Sequence, residues 1–167
     1  MSRKQHTVHN IPPLEPMDRR NWMHRYYKAR AKRIQAVRRF WNESDQANWD
    51  ALRQLFTEDA YVEWVCTAEQ FTVDEFIEVM KAYPGGERLV TLHTLDVSGN
   101  RAVTATEIRQ PRTGKVHHVT AFFTFTADKI HSIVEYRTDG QKIPAWRKEM
   151  KVGSSMPAQQ SLALRNT

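Results

Sequence analysis

The order in which helical and strand periodicities occur constrains this chain more than any single motif does. Helical spacing rules the first half and two-residue alternation the second. Over residues 18–41 the apolar positions are Met23, Tyr27, Ala31, Ile34, Val37 and Trp41. Steps of three and four residues make one stripe along a helix. Residues 42–46 are expected to break it, and Trp49, Leu52, Leu55 and Phe56 suggest a second, short helix. A third begins at Thr72, where Glu75 three residues on completes a capping box and Phe71 and Phe76 are placed for a hydrophobic staple. It runs to about Tyr83 and stops at Pro84, Gly85 and Gly86. One strand candidate, 61–66, precedes it. Four follow, at 89–97, 102–110, 116–126 and 130–138, separated by turn residues such as Ser98–Asn100 and Pro111–Gly114. Helices first and antiparallel hairpins after is an α+β order, not the alternation of a parallel sheet.

The chain has 167 residues and is 40% hydrophobic, enough for one domain with a proper core. No apolar run approaches the ~20 residues that cross a bilayer, so no membrane span is expected. The N-terminus lacks a hydrophobic signal core, and the single cysteine, Cys66, rules out an internal disulfide. A cytoplasmic protein is the expectation. Charge is unevenly spread. Residues 1–39 hold eleven Lys and Arg against Glu15 and Asp18, a net of +9, while residues 40–167 hold fourteen against seventeen acids, a net of −3. Residues 1–17, with Pro12, Pro13 and Pro16, read as a flexible leader, 18–152 as the domain and 153–167 as a loose tail.

Two segments carry a family resemblance. Asn48-Trp49-Asp50-Ala51-Leu52 leads through Leu55-Phe56-Thr57-Glu58-Asp59-Ala60 into Tyr61-Val62-Glu63-Trp64-Val65. Some seventy residues on, Ala127-Asp128-Lys129-Ile130 leads into Ile133-Val134-Glu135-Tyr136, then Asp139-Gly140 and Pro144-Ala145-Trp146-Arg147. A helix ending on an acidic turn that feeds a strand, with a closing strand far downstream, resembles the nuclear transport factor 2-like superfamily and, within it, SnoaL-like domains, over roughly residues 33–152. The resemblance implies a cone: a curved, mostly antiparallel sheet wrapped by N-terminal helices, open at one end to a small-molecule pocket, often paired as a homodimer through the sheet. It implies no single reaction.

Candidate chemistry was sought inside such a cone. The sequence has no phosphate loop, no dinucleotide glycine pattern and no metal-ligand spacing, so no metal and no cofactor are expected. His117 and His118 are adjacent on a strand, so they face opposite sides. The set His117, Val119, Ala121, Phe123, Phe125 is the more apolar and turns His117 inward, whereas the resemblance puts the histidine at His118; both remain candidates. Glu135 matches the acid on the closing strand of limonene epoxide hydrolase, and an acid in an apolar cone has its pKa raised, which suits proton transfer near neutrality. The alternative is a carboxylate paired with Arg109 or Arg137. The arginine and aspartate of that hydrolase are not in register in Thr106–Gln110. The ketosteroid isomerase base falls on Trp64 and its tyrosine on Phe40, so that machinery is absent. His93 matches one of two scytalone dehydratase histidines. SnoaL-like cyclases place an aspartate at the end of the closing strand beside a histidine, here Asp139 with His118 or His117, although Asp-Gly is also a common turn. Tyr61, Trp64, Cys66, Glu69, His93, Phe122 and Phe123 complete the expected lining, with Phe71 near the rim.

The segment Arg19 to Arg39 interleaves Trp22, Tyr26 and Tyr27 with cations. That composition occurs on nucleic-acid surfaces, but a helix docked by its apolar stripe with a solvated basic back is the simpler expectation. The function expected is a cofactor-free cyclase, isomerase or dehydratase acting on a hydrophobic, carbonyl-bearing molecule. The alternative is a non-catalytic ligand-binding or assembly module whose basic arm contacts an anionic partner.

Overall fold

A computed structural model describes residues 19–154 and 156. The leader at 1–17 and nearly all of the tail at 153–167 lie outside the described residues. Helix α1 (Arg19–Asp45) and the short α2 (Trp49–Arg53) come first. Strand β1 (Phe56–Trp64), strand β2 (Glu69–Thr72) and helix α3 (Val73–Ala82) follow. Then come β3 (Leu89–Ser98), β4 (Arg101–Gln110), β5 (Lys115–Thr126), β6 (Lys129–Asp139) and the short α4 (Ala145–Glu149). The six strands form one curved, unclosed sheet in the order β2-β1-β6-β5-β4-β3. Every neighbouring pair is antiparallel except β1 and β6, which run parallel. The expected α+β cone is the observed architecture.

Alternation along β5 decides which face is the core. Val119, Ala121, Phe123 and Phe125 are buried, while His118, Thr120 and Phe122 are exposed. Against the concave face lies the second half of α1. The Phe40 ring packs 5.4 Å from Phe123, 6.0 Å from Phe56 and 6.5 Å from Phe76. One side chain thus joins helix, sheet and α3. The capping box at α3 forms as expected: Glu75 Oε2 accepts the Thr72 N–H at 2.8 Å, and Thr72 Oγ1 accepts the Glu75 N–H at 3.3 Å.

Several elements differ from the sequence expectation. Helix α1 does not break at 42–46 but runs to Asp45, because its last turn finds partners. Glu43 accepts from Arg39 Nε at 3.2 Å and from Asn48 Nδ2 at 2.8 Å, and Asp45 accepts the Val90 N–H at 2.9 Å. Strand β1 starts earlier, at Phe56, and ends at Trp64, so Cys66 sits exposed in the following turn instead of on the strand. The four-residue β2 is an edge strand too short to show alternation. The stripe on α1 is covered only in part. Val37, Phe40 and Trp41 are buried, but Met23 is 48% and Tyr27 61% exposed, because the first half of the helix extends beyond the sheet.

This division makes a direct prediction. Phe40→Ala should cost roughly 3–5 kcal/mol by leaving a cavity between three aromatic neighbours. Met23→Ala and Tyr27→Ala should each cost less than about 1 kcal/mol, as exposed substitutions do. Urea unfolding in high salt, where attraction between surfaces is screened, measures both.

Candidate active site

Strand β6 builds one wall of a pocket, graded by depth. Glu135, Arg137 and Asp139 are two residues apart and share the concave face. Their side chains are 2%, 14% and 70% exposed, so Glu135 lies at the floor and Asp139 at the mouth. At about 3.3 Å per residue the two carboxylates sit on backbone positions about 13 Å apart. The parallel register sets Trp64 of β1 beside Glu135, and the Val65 N–H donates to the Glu135 carbonyl at 3.0 Å. Strand β5 supplies His117, directly across from Asp139. Tyr83, at the exit of α3, faces the His117 ring edge-on at 6.0 Å. Together with Cys66, Thr67, Thr138 and Gln141 these residues enclose about 430 Å³.

His117 and Asp139 are the tightest polar pair in the pocket. Nδ1 of His117 lies 2.6 Å from Oδ1 of Asp139. A carboxylate only accepts, so Nδ1 carries a proton and donates it. In the neutral ring Nε2 is then a bare acceptor, and it is buried with no hydrogen-bond partner among the described residues. The imidazole is thus oriented at one nitrogen and unsatisfied at the other.

Glu135 is in the opposite situation. Burial pushes its pKa above the ordinary 4.5, against the pull of the nearby Arg137 charge and of the Trp64 and Arg137 donors. Arg137 Nη1 stands 3.4 Å from Glu135 Oε2, a long contact. The Trp64 N–H is near enough to favour the carboxylate but makes no hydrogen bond of good geometry. The Arg137 guanidinium lies 4.9 Å from the Trp64 ring centre and 5.4 Å from that of Tyr83. Two aromatic faces therefore hold this cation midway between floor and mouth.

The exit of α3 is clamped from the sheet. Gln110 Nε2 donates to the Pro84 carbonyl at 2.9 Å, and Thr113 Oγ1 donates to Gln110 Oε1 at 3.0 Å. Gly85 has φ +113°, and a Cβ there would stand 2.5 Å from the Gln110 side chain. Only glycine fits. Tyr83 is positioned by this clamp two residues away.

Of the residues singled out from sequence, Trp64, Cys66, His117, Glu135 and Asp139 share the pocket. The others lie elsewhere. His118 is exposed on the outer face and, with His93, borders a neighbouring depression of about 460 Å³ that shares Cys66, Arg137 and Thr138 with the pocket. Phe122 is 45% exposed and packs edge-on against Tyr136 on that face, while Phe123 is buried under Phe40 in the core. Tyr61 packs edge-on against His131 at 5.8 Å, away from the pocket. Glu69 borders a groove between β2 and α3. Phe71 packs behind Trp64, ring centres 5.0 Å apart, so it supports the wall without lining it. The wall residues missing from the sequence reading are Tyr83, Thr67, Thr138 and Gln141, together with the central place of Arg137. Arg137 alone left a signal, its same-face spacing from Glu135. Among the described residues no group of three or more His, Cys, Asp or Glu side chains is arranged to hold a metal ion.

The α+β cone, with a carboxylate, a cation and a histidine at its open end, has the fold of nuclear transport factor 2-like proteins. Residues 37–136 match the family model of the SnoaL-like domain, and the chain belongs to that family. No curated protein matches it in sequence. Among solved structures it is similar to a ketosteroid isomerase candidate from Kribbella flavida, with TM-score 0.66 and 16% identity over 79% of this chain and 95% of that one. An NTF-2 like protein of unknown function from Burkholderia xenovorans gives 0.64 and 19%, covering 77% and 98% of the two chains. A polyketide cyclase candidate from Sinorhizobium meliloti gives 0.53 and 18%, covering 60% and 93%. At these identities the likeness is one of fold.

The buried acid makes a pH prediction. The folded protein holds the Glu135 proton to higher pH than the unfolded chain does. Stability is therefore lost as pH rises above 4.5, until Glu135 ionises in the fold. Glu135→Gln removes that loss. The stability of the variant minus that of the parent should grow as pH rises through this window. Urea unfolding of both proteins from about pH 4 to 8 measures the difference; a difference that stays constant refutes the assignment.

Proposed function

We propose that this protein is a cofactor-independent acid–base enzyme of the cyclase, isomerase or dehydratase kind, acting on a hydrophobic, carbonyl-bearing small molecule. The observation that carries the reading is the His117–Asp139 pair with its unpartnered Nε2. Nε2 takes a proton from a carbon beside the carbonyl. Asp139 holds the tautomer and stabilises the imidazolium that results. The electron pair settles on the carbonyl oxygen near Arg137, whose fixed charge favours the enolate. Glu135, its pKa raised by burial, returns a proton deeper in the pocket. Trp64 and Tyr83 serve as walls and keep Arg137 in place. His118, on the outer face, has no part in this scheme.

One observation favours a second reading, a ligand-binding module without catalysis. Glu135 and Arg137 already contact each other, and a paired carboxylate can hold a ligand without moving a proton. For either reading, a homodimer through the sheet would cover the exposed Phe122–Tyr136 pair. A reducing cytoplasm suits the exposed Cys66 thiol.

Solvent hydrogen exchange separates the two. In deuterated buffer the protein should speed exchange of acidic C–H protons in cyclic 1,3-diketone and aryl ketone probes, followed by NMR. His117→Ala should lower that rate by roughly 10²-fold or more, the scale of a lost general base. Glu135→Gln should keep probe binding and lower turnover of a full substrate by a similar factor. Exchange no faster than buffer for probes that bind, or equal in His117→Ala, would leave only the binding module.

A further inference from the structure

The N-terminal half of α1 continues the face that the same helix buries further on. Trp22, Met23, Tyr26, Tyr27 and Arg30 fall at helical spacing above Val37, Phe40 and Trp41. The face is covered where the sheet lies under it and bare where the sheet ends. Arg30 donates to the Val97 carbonyl at 3.2 Å, and Arg33 donates to the carbonyls of Gly99 and Ala127. These contacts fix the helix against the ends of the β3–β4 and β5–β6 turns. Beyond them Trp22 and Tyr26 stack at 5.6 Å with no core to enter, 50% and 38% exposed. Between Arg19 and Arg33 the sequence holds seven Lys and Arg and no acid.

A second region of the chain is its charge complement. From Gln54 to Met80 the sequence holds seven Asp and Glu and no Lys or Arg. These acids fall on β1, the edge strand β2 and the outer side of α3, and Glu58, Asp59, Glu69, Asp74, Glu75 and Glu78 are exposed. Between β2 and α3 they border a groove of about 610 Å³ whose apolar lining is Phe71 and Val79. A groove with an apolar floor and an acidic rim fits a basic helix with aromatic side chains. The arm cannot fill its own groove. It leaves the sheet at the turn end, whereas Glu69 pairs with Trp64 at the other end of β1, where the pocket opens.

We propose that the N-terminal half of α1 docks on the acidic β2–α3 edge of a second copy of this chain. The aromatic residues would cover Phe71 and Val79, and Arg19, Arg25 and Lys28 would meet Glu69 and Glu78. The association is electrostatic at its rim, so it weakens with salt. It needs neither the pocket chemistry nor a substrate.

Sedimentation of the full-length protein tests this with charge reversal on each side. An arm variant carries Arg19→Glu, Arg25→Glu and Lys28→Glu; a groove variant carries Glu69→Arg and Glu78→Arg. At low salt each alone should associate at least about tenfold more weakly than the parent, and their equimolar mixture should recover the parent's affinity. Recovery follows only if arm and groove meet across two chains. Unchanged melting temperatures check that the variants fold, and Arg19→Gln, Arg25→Gln, Lys28→Gln provides a milder arm variant. Self-association of the arm variant as strong as the parent's overturns the proposal, as does a parent that stays monomeric at low salt. So does an arm whose reversal abolishes binding to single-stranded RNA or anionic vesicles while leaving self-association unaltered.

Discussion

The parallel pairing of β1 with β6 is the constraint on which the rest of the structure depends. It joins residues 56–64 to residues 130–135 across some seventy residues of chain. Such a contact is entropically expensive to close and, strand for strand, weaker than an antiparallel one. Hydrogen bonds just outside each end hold it: the Ile130 N–H donates to the Leu55 carbonyl at 2.9 Å, and the Val65 N–H to that of Glu135 at 3.0 Å. Between them Val62, Ile130 and Ile133 are fully buried. Without this seam Trp64 would have no fixed relation to Glu135, and the pocket would have one wall instead of two.

The pocket carries costs that the core does not. Burying Glu135 takes a carboxyl from water, and the 3.4 Å contact to Arg137 only partly offsets that. The bare nitrogen of His117 and the unpartnered indole of Trp64 are further polar atoms buried without return. They are not alone: the Trp41 indole beside Phe40 and the Thr104 and Thr106 hydroxyls on β4 are likewise buried without a partner among the described residues. What sets the pocket apart is that a buried carboxyl, a cation and a histidine line one cavity.

The parts that were legible in the sequence are those governed by local spacing. Alternation along β5 turned His117 inward against the family analogy that favoured His118, and burial follows the alternation. The capping box at Thr72 and the four late strands formed within a residue or two of their expected ends. What spacing could not report is what lies across from a face. The α1 stripe is equally apolar at Tyr27 and at Trp41, but only Trp41 has a sheet beneath it. Tyr83 joins the pocket by virtue of a helix exit and a distant clamp, neither visible nearby in sequence. Arg137 stood two residues from Glu135, yet its place between two rings required the third dimension.

The clamp at Gly85 separates two properties that most sites combine. Tyr83 is one wall of the pocket, and the turn that follows it is tied to Gln110 at Pro84 and Gly85. None of these three belongs to the ionisable cluster on β5 and β6. A change at position 85 or 110 would move the tyrosine wall and leave His117, Asp139 and Glu135 on their strands. The shape of the cavity can therefore drift over evolutionary time while its ionisable groups stay in place, two traits written on separate parts of one small fold.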